Sequence, residues 1–329
     1  MKISDFCIGD LVQGRLVVAD ATLGKTKGNP PKPYVRLTLT DGSEQVQSML
    51  WDWDEEMSLP AKGLVLDINA KCTEYQGKKQ LSNISYMPAE DQSITEFQPH
   101  YTEDVEGLFD AAMELIQGFG NTALRELLTY IYQENAEAIM YATSAASIHH
   151  MGIGGNLAHS VEVAHICEAI SNLFPMSINH DLVVAGALVH DLGKVLTYKM
   201  DGPVIEYTKD GELFDHSVLG LVYLNEADCS FSYRYHQVVD LLKHICLSHH
   251  GSKEFGAPAT PRFIEAYIVS YADGISATLD TLRQANKKAE AEGKEFTDKV
   301  FTCNNTRHLR QADIYNILKD SVIEDSEPF

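Results

Sequence analysis

The sequence predicts an α+β protein of two domains: a small N-terminal β-barrel and a larger all-α bundle with a short inserted hairpin. Three observations predict it. A chain of 329 residues is long enough for about two ordinary domains. Residues 10–90 carry short stretches of period-2 alternation, the pattern of half-buried strands. From Thr102 onward the apolar spacing switches to the three-and-four pattern of helices.

The strands come first. Val35, Leu37 and Leu39 alternate with Tyr34, Arg36 and Thr38. Leu11 to Ala19 is rich in β-formers, and Gln45 to Trp51 follows the turn dipeptide Asp41-Gly42. Leu64 to Tyr75 and Lys79 to Tyr86 form a further pair across Gln76-Gly77. About five short strands in 80 residues fit a small closed barrel, of which the OB-fold is the five-stranded version. Gly24 to Pro33 would be the loop between the first two strands; it holds three lysines and no acid.

The helices follow. Val105, Leu108, Phe109, Ala112, Leu115 and Ile116 mark one face, with Thr102 or Asp104 as N-cap. Gly118 to Asn121 breaks that helix, and Leu124, Leu127, Leu128 and Ile131 mark the next. Residues 156–173, 181–194, 216–226, 236–250 and 261–282 also read as helices. Val204 to Phe214 reads as the inserted hairpin, with its turn at Asp210-Gly211. The organisation expected is a barrel over 1–95, a helical connection over 96–145, a bundle over 146–285 and a C-terminal extension over 286–329.

Composition excludes several classes. Hydrophobic residues make up 44% and charged residues 22%, as in ordinary globular proteins. The longest apolar run, Leu182 to Val189, is less than half of a bilayer span of about twenty residues. The start, MKISDFCIGDL, has no apolar stretch of signal-peptide length. Six cysteines without a CxxC pair read as free thiols of a reducing cytoplasm, the expected location. Net charge is −21. Residues 1–95 are nearly balanced, with 10 basic against 13 acidic residues, whereas the remainder carries 16 against 34. Such a chain is no general duplex-DNA binder, because phosphate affinity comes from basic side chains. A local basic patch or a bound metal would still let it act on a nucleic acid.

Histidine is the sharper signal: 11 of 13 lie between His149 and His250, and histidine is the commonest metal ligand. Four features stand far apart, each on or at the end of a mostly apolar helix: His159, the pair His190-Asp191, the pair His249-His250, and Asp273. Polar groups facing an apolar core are costly unless paired or bound. Four such helices make sense if their polar groups meet across a shared ion. Adjacent helical residues diverge by about 100°, so near a helix end His190 can serve one ion while the Asp191 carboxylate bridges to a second. Imidazole and carboxylate without thiolate suit Mn, Mg, Fe, Co or Ni, with Zn also possible. His165, His180, His236 and His244 fall outside the pattern and read as core or capping residues.

The run HDLGK, with an upstream His and a downstream Asp, resembles the HD superfamily of metal-dependent phosphohydrolases. That resemblance assigns His159, His190, Asp191 and Asp273 to a first metal site and adds His216 with His249 or His250 for a second. The ordered set HHMGIGGNLAHS, HDLGK, LSHHGSKEFGAPATP and EAYIVSYAD, behind an OB-like segment, resembles more narrowly the YhaM-type 3′-to-5′ exoribonuclease family over roughly residues 8–280. The chain departs from that family at Asp215, where a Gly is usual, and at Ser276, where a second Asp is usual.

The resemblance implies an HD phosphohydrolase domain and two divalent ions, manganese first. It also implies single-stranded RNA as substrate, with DNA as a second candidate, nucleoside 5′-monophosphates as products, and self-association. In the implied mechanism a water bridging two ions loses its proton and attacks phosphorus in line. Lys194 would neutralise developing charge, and His149 and His150 would contact phosphate or assist the leaving group. The OB-like segment would hold the strand through stacking by Tyr34, Trp51, Trp53 and Tyr75 and through Lys25, Lys27, Lys32 and Arg36. Two other readings stand beside this one: a phosphohydrolase of small nucleotides, which the acidic surface suits, and a non-catalytic nucleic-acid-binding module.

Overall fold

A computed structural model describes residues 2–102, 104–145, 150–202 and 204–320. The first five strands are β1 (Leu11–Lys25), β2 (Pro33–Thr40), β3 (Gln45–Trp51), β4 (Val65–Tyr75) and β5 (Lys78–Pro88). They close into a barrel in the order β1-β2-β3-β5-β4. β1 closes it by serving two partners: Leu11 to Val17 pairs with β4, and Val17 to Lys25 pairs with β2. A register shift between Val18 and Asp20 bends the strand between them. β3 and β5 make the parallel contact. This is the five-stranded topology of an OB-fold. Alternation then fixes the core: Leu16, Val18, Leu37, Leu39, Val46, Leu66, Ile68 and Leu81 point inward, and Ile3 and Phe6 plug the barrel. Gln76 and Gly77 both have positive φ, as a two-residue hairpin turn between right-twisted strands requires.

The second half is helical: α1 (Val105–Gln117), α2 (Thr122–Glu134), α3 (Ala136–Tyr141), α4 (Gly155–Leu173), α5 (His180–Val189) and α6 (Lys194–Thr197) come first. A two-stranded sheet of β6 (Tyr198–Asp201) and β7 (Val204–Tyr207) follows. Then come α7 (Lys209–Phe214), α8 (His216–Ser230), α9 (His236–Ser248), α10 (Ile264–Ala291) and α11 (Gln311–Asp320). Asp104, Asn121 and Asn179 cap α1, α2 and α5 by accepting backbone N–H groups. α5 is apolar on every side and buried from Leu182 to Val189, which makes it the central helix of the bundle. α4, α9 and α10 pack around it. Among the described residues no helix is long and apolar enough to cross a membrane.

Three elements differ from the sequence reading. The hairpin lies earlier: Tyr198 pairs with Tyr207 and Asp201 with Val204, while Asp210-Gly211 falls in the first turn of α7. Thr208 caps that turn by accepting from Gly211 N–H, so Asp-Gly here starts a helix instead of closing a hairpin. The helix expected over 181–194 stops at Val189. Tight turns, Leu192 N–H to Val189 O and Lys194 N–H to Asp191 O, carry the chain through His190 and Asp191 into α6. α10 runs beyond the expected 282, to Ala291.

Candidate metal centre and nucleic-acid interface

His159 sits one turn into α4, His190 caps the end of α5 with Asp191 next to it, and Asp273 comes from the middle of α10. Their ligand atoms meet. His159 Nε2 is 3.2 Å from His190 Nε2, 3.1 Å from Asp273 Oδ1 and 3.4 Å from Asp191 Oδ2. His216, the first residue of α8, lies 3.4 Å from His249 Nε2 and 3.2 Å from His250 Nε2 through its own Nε2. Asp191 connects the two clusters. Its Oδ2 faces His159 and His190, each at 3.4 Å, and its Oδ1 faces His216 at 3.4 Å and His249 at 3.5 Å. Both His249 and His250 therefore stand in the second cluster.

The hydrogen bonds set the tautomers. His190 Nδ1–H donates to Ala187 O and His249 Nδ1–H to Cys246 O, both at 2.7 Å. Ser276 donates its hydroxyl to Glu162, so its oxygen accepts from His159 Nδ1–H at 3.0 Å. His216 Nδ1 lies 3.2 Å from Asp215 Oδ1. With Nδ1 of His159, His190 and His249 committed as donor, their Nε2 atoms present lone pairs to the clusters. Facing lone pairs and carboxylate oxygens at such distances repel one another unless a cation lies among them. Asp191 Oδ1, buried and without a hydrogen-bond partner among the described residues, says the same. The residues fit divalent metal: His159, His190 and Asp191 can hold one ion, and His216, His249 and His250 another.

Electrostatics prepares these groups. Burial holds His159, His249 and His250 below the usual imidazole range, which keeps them neutral. His190 shifts the other way: burial would lower it, but Asp191 and Asp273 raise it. Burial would raise Asp191, yet Lys194 and His190 outweigh it and hold the carboxylate well below its ordinary value. Lys194 Nζ lies 2.7 Å from Asp191 Oδ2 and donates to Ser144 Oγ at 3.2 Å. Its ammonium thus faces the histidine clusters and pairs with Asp191.

His149 lies outside the described residues. His150 is fully buried, with its backbone N–H donating to Asp280 Oδ2 at 2.9 Å. Its ring stacks against Tyr101 and His159, and Nε2 lies 3.5 Å from Glu162. His150 is enclosed between two carboxylates and lies against His159, where it supports that ring. Glu162, Ser276 and Asp280 complete that support. No motif announced Glu162 or Asp280, whereas Ser276 stood out as a departure from the family pattern; Glu162 and Ser276 stand one turn beyond His159 and Asp273, and that spacing is a further signal.

On the barrel, Tyr34 and Trp51 pair across β2 and β3 with ring centroids 5.4 Å apart. Arg36 and Tyr75 line a cleft of about 820 Å³ between β2, β3 and the β4–β5 hairpin, joined by Gln47, Met49, Lys78, Lys79 and, from α10, Lys288. Trp53 is half-buried and Lys27 is exposed in the loop after β1. Lys25 and Lys32 are paired with Glu55 at 2.9 Å and Asp52 at 2.8 Å. The cleft thus gathers Arg36 and Tyr75 but not the loop lysines, and it adds cations that sequence reading did not single out.

Residues 156–278 match the model of the HD domain. A protein of Oceanobacillus iheyensis named 3′-5′ exoribonuclease YhaM is 28% identical over 305 residues, covering 91% of this chain and 93% of that protein. A protein of the same name from Geobacillus sp. strain WCH70 is also 28% identical over 305 residues, covering 91% of each chain.

Proposed function

The protein is a hydrolase built on an HD domain behind an OB-type barrel, and we propose that it is a two-metal 3′-to-5′ exoribonuclease acting on single-stranded RNA. One observation carries the metal-dependent part: Asp191 sets one carboxylate oxygen at each of two histidine clusters. Divalent ions held there, manganese first, supply the Lewis acidity that makes water a nucleophile near neutral pH and polarises a phosphodiester. The chain's own groups do the rest. Buried neutral imidazoles and ionised carboxylates keep the ligand atoms ready. Lys194 balances Asp191, so the centre carries less uncompensated negative charge when a phosphodiester approaches.

The RNA part of the reading rests on the names of the relatives and on the barrel cleft. Arg36, Lys78, Lys79 and Lys288 offer backbone contacts and Tyr75 offers a stacking face, the combination that binds single strands. Around the helical half the surface is strongly acidic, and this favours a second reading, hydrolysis of small nucleotides that need no long basic track. One experiment separates them. The protein with Mn²⁺ is incubated with 5′-labelled single-stranded RNA and, in parallel, with a panel of cyclic, dinucleoside and mononucleotide phosphates. A ladder shortening from the 3′ end, abolished by chelator and by Asp191→Asn, is expected. Intact RNA alongside nucleotide turnover would favour the second reading.

A further inference from the structure

Asp215 has φ +61° and ψ 152°, a backbone state that residues with a Cβ rarely adopt and that marks a functional constraint when it persists. It stands between α7 and α8 and uses one oxygen twice. Oδ1 lies 3.2 Å from His216 Nδ1 and accepts from Ser217 N–H at 2.9 Å. The reason lies in where His216 sits. His190 and His249 come at helix ends and donate to the carbonyl three residues earlier. His216 opens its helix and has no preceding turn to donate to. The start of α8 is itself fixed, because His216 O and Gly220 N pack tightly over Gly193. What remains free is the imidazole ring, and the neighbouring carboxylate is the group that reaches it.

We propose that Asp215 is a positioning residue of the second metal site, holding His216 with Nδ1–H outward and Nε2 toward His249, His250 and Asp191. The inference rests on the two-ion reading of the centre. An anionic partner on Nδ1 also makes an imidazole a stronger ligand, and loss of such partners weakens metal affinity about 10–100-fold.

The test is equilibrium dialysis of the full-length protein against Mn²⁺, with metal quantified per chain, for the unchanged sequence, Asp215→Gly and Asp215→Asn. Glycine suits the backbone and lacks the carboxylate. Asparagine tolerates positive φ, caps a helix as well as aspartate does and still accepts from Nδ1–H, but carries no charge. The unchanged chain binds two ions. Asp215→Gly keeps one ion at unchanged affinity and binds the other about 10–100-fold more weakly; Asp215→Asn falls between, and circular dichroism is the same for all three. Two ions at unchanged affinity in Asp215→Gly would overturn the proposal, as would equal weakening of both sites, which a merely structural cap would produce. Fewer than two ions on the unchanged chain would overturn the two-ion reading itself.

Discussion

Asp191 and Lys194 form a buried ion pair of 2.7 Å, one turn apart, at the point where α5 gives way to α6. A carboxylate this enclosed, facing four imidazoles, needs a positive partner whether or not metal is bound. Replacing Lys194 by Met removes that partner, and breaking one side of a buried pair costs about 3–5 kcal/mol. The loss is expected in chelator and is expected to shrink when Mn²⁺ is added, since bound cations then balance Asp191. Urea denaturation with and without Mn²⁺ measures it. Equal losses in both conditions would show that Lys194 serves something other than Asp191.

Asp191→Asn keeps size and shape while one face of the side chain becomes an N–H₂ donor. Whichever cluster faces that amide loses a ligand. Hydrolysis is expected to fall by about a thousandfold, the scale of losing a central electrostatic group, together with metal content. Metal analysis and turnover should move together. A variant that keeps both ions and its rate would remove Asp191 from the bridging position.

Lys288, which lines the barrel cleft, stands 15 residues beyond Asp273 on α10, about 22 Å along a helix, so cleft residues should alter binding and leave the chemical step unchanged. Tyr75→Ala removes a stacking face worth about 1–3 kcal/mol per base, which appears as KM with kcat unchanged. Lys79→Ala should weaken RNA binding and reduce the slope of log affinity against log salt by about one. Lys25→Ala and Lys32→Ala should do less, because each lysine already has a carboxylate partner. A fall in kcat with constant KM for Tyr75→Ala would contradict this division of labour.

Glu162 gives the support layer behind His159 a pH signature. The His150 imidazole 3.5 Å away, with Arg283 and Ser276 donating, holds the Glu162 carboxyl down to about 2 against the effect of burial. An unfolded glutamate titrates near 4.3. A depressed carboxyl contributes stability that is present above the unfolded value and lost as pH falls through the folded one. Between about pH 4.3 and 2 the unchanged chain should therefore lose stability more steeply than Glu162→Gln. Urea midpoints in chelator across that window provide the comparison, and parallel curves would show that Glu162 is not linked to folding.

Legibility divided along local and long-range lines. Val35, Leu37 and Leu39 announced their strand because period-2 burial is a property of neighbours in sequence, and Asp41-Gly42 announced its turn for the same reason. That His159, His190, Asp191, His249, His250 and Asp273 would meet was readable because polar groups on apolar helices are costly unless paired or bound; their role as ligands belongs to the proposal above. Thr208 to Gly211 misled because an Asp-Gly dipeptide serves a hairpin turn and a capped first helical turn equally well; the choice depends on what precedes it, and here Thr208 supplies the cap. Lys288 was invisible: no local pattern says that the far end of α10 will meet a cleft on the barrel. Asp280, which anchors His150 and Tyr101 from α10, was hidden for the same reason.

Gly193 explains why the HD pair is followed so closely by glycine. A Cβ at this position would lie 1.9 Å from His216 O and 2.4 Å from Gly220 N, both backbone atoms of α8 that no rotamer change can move. The turn carrying Asp191 therefore touches, backbone to backbone, the helix carrying His216. That contact sets the 3.4 Å between Asp191 Oδ1 and His216 Nε2. Gly193→Ala must push α8 outward, and overpacking of this kind costs about 1–3 kcal/mol. The displacement falls on His216 while leaving His159, His190 and Asp273 in place. The expected result is a modest drop in thermal stability with one ion lost and one retained. An Ala variant that binds both ions with unchanged affinity would mean that the second cluster does not depend on this contact.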